Sequence, residues 1–297
     1  MKLNIIDTKP IYHRLLDTAD PVEREAIYRE ELLTPFEGMF RMFGGGDPIH
    51  MAKGWAMYTP EEFENGARSK VESILDRLAT YDAWNKAVEA MERGRSAFAP
   101  YADALPLETV TFALVLADTQ RVNPLDRGYT GFGGIPGYVM AVYSDPNGYN
   151  LPRLGGACVH ELHHNVRFSL FPFNPMKVTV GEYIVAEGMA EAFAAELFGE
   201  ELVGYYVTDF NEEELATVKD LIGNALDVTG FNEVRSYIFG DTISEHMGRP
   251  KAGVPNYAGY AMGYQAVRQY LRRMGKTVAE ATFVPAKEII AESEFFA

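Results

Sequence analysis

At 297 residues and 47% hydrophobic composition, the chain can bury a sizeable core as one large domain or two lobes. Its 42 acidic against 27 basic residues leave a formal charge of −15, which argues against a nucleic-acid backbone or an anionic membrane as partner. Met1 to Leu16 lacks a signal-peptide core, no apolar run approaches the roughly 18–20 residues of a membrane span, and the lone Cys158 excludes an internal disulfide, all of which fits a cytoplasmic setting.

Residues 1–105 read as a helical region. Asp20-Pro21 ahead of Val22-Glu23-Arg24-Glu25 supplies an N-cap and a proline at the first helical position, opening a helix to about Phe43. Gly44-Gly45-Gly46-Asp47-Pro48 breaks it; with no Gly-Lys-Ser/Thr following and no strand preceding, these glycines are not a phosphate loop. Thr59-Pro60-Glu61-Glu62 has capping-box form and starts a helix to about Ala79. A further helix, about Tyr81 to Phe98, carries Trp84, Val88 and Met91 at core spacing. Pro100 to Pro106 is the expected seam, with residues 106–297 as the second region.

The period then changes. Glu108 to Ala117 is apolar and β-branched, a buried strand; Gly128 to Gly137 is glycine-rich and loop-like; Tyr138 to Tyr143 is a second strand. A helix follows Gly155-Gly156 and is ended by Pro172 and Pro175. Val180 to Leu197 forms the next, with Gly199 as its C-cap. Asn211 is expected to cap a helix from Glu212 to about Asp227, with Glu214 at the box position. Val228 to Asn256, including His246, reads as irregular; Ala258 to Met274 and Pro285 to Ser293 are the last helices.

The chemistry gathers at Ala157-Cys158-Val159-His160-Glu161-Leu162-His163-His164-Asn165. His160 and His164 stand at i and i+4, one face of a helix, so both imidazoles can reach one metal ion, while Glu161 lies one residue round beside it. Read blandly, the same residues are surface or core histidines of an ordinary helix. Zinc takes a third protein ligand and keeps a fourth position open. Glu187 and Glu191 interrupt the apolar helix Val180 to Leu197 one turn apart, and such charges are costly there unless partnered. Glu187 is the candidate third ligand; Glu191 is placed to accept the free ring N–H of a ligand histidine. Cys158 reads as a small buried hydrophobe. His163 is turned from His160 by about 300° and reads as a neighbour of the site or as facing the substrate.

His160-Glu161-x-x-His164 followed by Glu187-Gly188-Met189-Ala190-Glu191 resembles the gluzincin metallopeptidases of the thermolysin and aminopeptidase type, in which a Glu on a following helix is the third ligand. The spacer between His164 and Glu187 is longer than is usual there. A closer resemblance, from about Thr109 onward, is to the bacterial YjaZ-like family of predicted zinc-dependent proteases. It rests on the Gly-rich strand before the motif, His-Glu-x-His-His, Glu-Gly-x-Ala-Glu and Tyr260-x-x-Gly263-Tyr264. The resemblance implies an α+β, zincin-like, mostly helical fold with a small sheet whose edge strand precedes the motif helix and takes extended substrate. It also points to the Tyr260 region for the donor that stabilises the oxyanion, with Tyr257, Tyr264 and His246 as alternatives.

The expected function is a zinc-dependent peptide-bond hydrolase acting on a peptide or protein substrate, with Glu161 as general base. The alternative is a peptide-binding module on the same fold that does not cut. A carboxylate at Glu161 has no use in a binding module and favours the hydrolase.

Overall fold

The computed structural model describes residues 1–63, 66–210, 212–246, 248–249 and 251–297. They form two compact units, residues 1–102 with 107–165, and residues 103–106 with 166–297.

The first unit is built on a four-stranded mixed sheet of order β1-β2-β4-β3: β1 (Lys2–Ile6), β2 (Thr109–Leu116), β3 (Tyr129–Ile135) and β4 (Tyr138–Tyr143). The pairs β1–β2 and β2–β4 are parallel, and β3 runs antiparallel to β4. β2 is interior to the sheet and buried on both faces from Val110 to Leu116, as a run apolar at every position but Thr111 requires. Two expectations are corrected here. Lys2–Ile6, inside the region read as helical, is an edge strand; the segment is short and mixed in polarity, and its partner Thr109–Ala113 lies far along the chain. The glycine-rich segment read as a loop is mostly β3, the other edge strand. Glycines weaken a strand, and here they mark a close backbone approach.

Around the sheet lie α1 (Thr8–Asp17), α2 (Pro21–Ile27), α3 (Glu37–Met42), α4 (Pro48–Gly54), α5 (Arg68–Thr80) and α6 (Ala83–Ala97). Asp20 caps α2 by accepting from the Val22 N–H, with Pro21 in the first turn. The helix expected to run on to Phe43 is interrupted by a π-helical stretch, Tyr28–Leu33, and a 3-10 turn, Thr34–Phe36. Pro35 cannot continue a regular ladder, and the widened turn lets the Thr34 N–H reach the Arg29 carbonyl. The Thr59–Glu62 box opens only a 3-10 turn, Pro60–Phe63; α5 starts afresh at Arg68.

α7 (Leu154–Leu170) begins in the first unit, and its last five residues belong to the second. Next come α8 (Val180–Phe198), α9 (Tyr205–Thr208), α10 (Glu212–Gly223), α11 (Phe231–Phe239), α12 (Asp241–His246), α13 (Ala258–Met274), α14 (Val278–Ala281) and α15 (Ala286–Ser293). Thr179 and Glu182 form a reciprocal capping box on α8, which is apolar on nearly all sides and buried from Ile184 to Ala194. α13 crosses α8 backbone to backbone: a Cβ on Gly263 would stand 2.7 Å from the Ile184 carbonyl carbon. Val180, Ile184, Val218, Ile222, Val234, Ile238 and Met262 share one apolar cluster. The stretch read as irregular holds α11 and α12; Phe231, Val234 and Ile238 recur at helical spacing between Gly230 and Gly240. The cap expected at Asn211 lies outside the described residues. Among the described residues no helix is long and apolar enough to cross a membrane.

Candidate metal centre

α7 sets His160 and His164 one turn apart with their Nε2 atoms 3.0 Å from each other and their rings near perpendicular. Val159, Leu162 and Val166 bury the rest of the helix, so the histidines are fixed by packing on the other faces. Glu187, on α8, is also buried, and one ligand atom from each of His160, His164 and Glu187 lies within 4.8 Å of the others. Two imidazoles and a carboxylate gathered out of water are costly without a shared cation. A set of two nitrogens and one oxygen suits zinc; a calcium site would be all oxygen. The residues present therefore fit the ion.

Glu161 is only partly buried, unlike its neighbours. Its side chain lies against the backbone of β3: a Cβ on Gly131 would stand 2.5 Å from Glu161 Cγ, and one on Gly133 would stand 2.7 Å from the Glu161 carbonyl carbon. Glycine at both positions is what lets the strand and the helix touch.

Asn165 holds this arrangement, and sequence reasoning gave it no role. Its side chain is fully buried, accepts from the Gly137 N–H at 2.6 Å, and donates to the carbonyls of Gly133, Ile135 and Tyr138 at 2.8, 3.0 and 2.7 Å. An amide carries two N–H groups, so at least one serves two acceptors. The available signal was a lone Asn directly after the motif, on a helix that is otherwise apolar there.

The other expected residues fall as follows. His163, expected either beside the site or facing substrate, is fully buried with its ring centroid 6.3 Å from that of Phe98. Cys158 is a buried free thiol, pushed up chiefly by burial and also by the charge of Glu161, and it stands outside the His160, His164 and Glu187 group. Glu191 accepts from the Tyr206 hydroxyl at 2.8 Å and from the Gly204 N–H. Tyr206 was missed; nothing in its local pattern distinguishes it from a packing tyrosine. Tyr260 is partly buried in an aromatic group, 5.0 Å from Tyr206, 5.8 Å from Tyr257 and 6.0 Å from Phe239 between ring centroids. Burial pushes the Tyr264 phenol up to about 12, and His246 is exposed at the end of α12. Tyr206→Phe removes a donor from a carboxylate that is 2% exposed, so it is expected to cost roughly 1–3 kcal/mol, read as a lower urea midpoint at an unchanged slope.

A family profile described as "Predicted Zn-dependent protease (DUF2268)" matches residues 83–291. The chain belongs to this family. It is similar to two Bacillus subtilis (strain 168) proteins. One is the uncharacterized protein YjfC, 37% identical over an alignment of 308 residues that takes in all of this chain and 99% of the relative. The other is the uncharacterized protein YjaZ, 27% identical over 133 residues, 44% of this chain and 47% of the relative. No solved structure matches. The family match leaves out residues 1–82, which the similarity to YjfC includes.

Proposed function

We propose that this chain is a gluzincin-type zinc metallopeptidase on a zincin-like fold, with its chemistry carried by residues 106–297. The observation that carries this reading is the buried group of His160, His164 and Glu187, with a more exposed carboxylate, Glu161, one residue from the first histidine. The two ring nitrogens and the Glu187 carboxylate would hold the ion. Bound zinc supplies a Lewis acid that makes water easier to ionise and polarises the scissile carbonyl.

The remaining steps belong to the chain. A carboxylate oxygen of Glu161 takes the proton of the attacking water and passes it to the nitrogen of the leaving amine. The Tyr260 hydroxyl donates to the oxyanion as it forms. An extended peptide adds to the open edge of β3 by main-chain hydrogen bonds, which hold it whatever its sequence. Support for that placement comes from β3 being an edge strand whose backbone lies against Glu161.

Elemental analysis of the purified full chain, paired with digestion of a peptide library read by mass spectrometry, tests the reading. One zinc per chain is expected, with cleavage lost on chelation and restored by zinc, and Glu187→Ala should no longer retain the ion. A chain that binds no zinc, or a Glu187→Ala variant holding as much as the wild type, overturns the metal assignment. Zinc bound without cleavage of any peptide selects the binding module.

A further inference from the structure

The second unit contains a cavity of about 690 Å³ that the proposed chemistry leaves unused. The end of α7, the start of α8 and α15 border it, and Phe168, Phe171, Phe173, Tyr183, Leu226 and Ile290 supply apolar wall. Into this setting comes one buried cation. Arg167 is 3% exposed, and its Nη1 donates to the carbonyls of Thr282 and Val284 at 2.6 Å each. Its guanidinium stacks on Phe171, 4.2 Å from the ring centroid.

Among the described residues Arg167 forms no ion pair. The acid whose charge reaches it, Glu182, is exposed, and its carboxylate accepts from the Thr179 N–H at 2.9 Å. A guanidinium has five N–H donors in a planar fork, and the two carbonyls engage only Nη1. Nε and the other terminal nitrogen remain for an acceptor in the cavity. Burial lowers the pKa to about 10, which still leaves a full positive charge near pH 7. A buried charge served only by dipoles and a ring is costly, and an anion arriving there would offset that cost.

We propose that this cavity binds an apolar monocarboxylate of the fatty-acid class, with its carboxylate on Arg167 and its alkyl chain against Phe168, Phe171 and Phe173. Carboxylate geometry matches the free side of the fork. At the mouth, exposed Lys177 and Lys287 are matched by exposed Glu182 and Asp227, so the site asks for a single negative charge. A peptide C-terminus is the weaker fit: its amides need partners, and the neutral polar lining side chains Asn174 and Thr179 already accept from the Met176 and Glu182 N–H groups at 2.9 and 3.0 Å.

Isothermal titration of the full chain with dodecanoate, 1-dodecanol and a peptide ending in a free-acid phenylalanine tests this. Dodecanoate should bind saturably at one site per chain, and dodecanol roughly tenfold more weakly or worse. Arg167→Gln should bring dodecanoate down to the level of the alcohol. Should that variant not fold, the acid-against-alcohol comparison in the wild type still decides the charge dependence, and Ile290→Trp, which fills the cavity, should remove binding. Equal affinity for acid and alcohol, no saturable binding of either, a peptide that outcompetes dodecanoate, or full binding by Ile290→Trp overturns the proposal.

Discussion

Glu161→Gln is expected to lower kcat by roughly 10²–10⁴-fold while zinc content stays that of the wild type. The amide has nearly the volume of the carboxylate, so the side chain keeps its place against Gly131 and the helix keeps its packing. What disappears is the basic oxygen. The residues gathered as ligands are His160, His164 and Glu187, so nothing that would hold the ion is altered. Glu161→Asp makes the complementary test, because it keeps the charge but withdraws it by one methylene; an activity between the two is expected. The separation of zinc content from turnover is the informative readout. Wild-type rates in Glu161→Gln would remove Glu161 from the chemistry and send the search for a base elsewhere.

The candidate site is more legible in the sequence than the fold around it. Two histidines at i and i+4 are a local constraint, and Glu187 announces itself because an acid in so apolar a helix demands a partner. β4 and α13 carry undiluted periods and fall where the sequence puts them, Tyr138–Tyr143 and Ala258–Met274. β1 is illegible for a different reason: five residues of mixed polarity become a strand only because β2 lies beside them. The glycines of β3 argue against a strand on propensity, and the reason for them, contact with Glu161, is a tertiary fact. Asn165 and Arg167 are silent in sequence for the same reason: their meaning depends on which carbonyls surround them.

The two β3 glycines should fail in different ways when each is given a methyl group. Neither has a positive φ, so alanine is permitted by the backbone, and the loss of chain freedom in the unfolded state would by itself favour folding by roughly 0.4–1 kcal/mol. Any loss therefore measures the collision. At Gly131 the new Cβ meets the Glu161 side chain, including Cγ and Cδ at 2.5 and 2.7 Å, and a side chain can rotate away. Gly131→Ala is expected to fold with near wild-type stability and lose on the order of 10²-fold in kcat, the cost of misplacing a reacting group by about 1 Å. At Gly133 the Cβ meets backbone, the carbonyl carbon and Cα of Glu161 at 2.7 and 2.9 Å, and only a shift of strand against helix relieves it. That shift would also strain the Asn165 bond to the Gly133 carbonyl. Gly133→Ala is accordingly expected to destabilise by roughly 1–3 kcal/mol or more in urea unfolding. Gly134→Ala is the control, since its Cβ would meet only the Phe132 ring, at 3.2 Å. Equal stability in all three variants, with equal activity, would mean that the strand does not press on the helix and that Glu161 is positioned by something else.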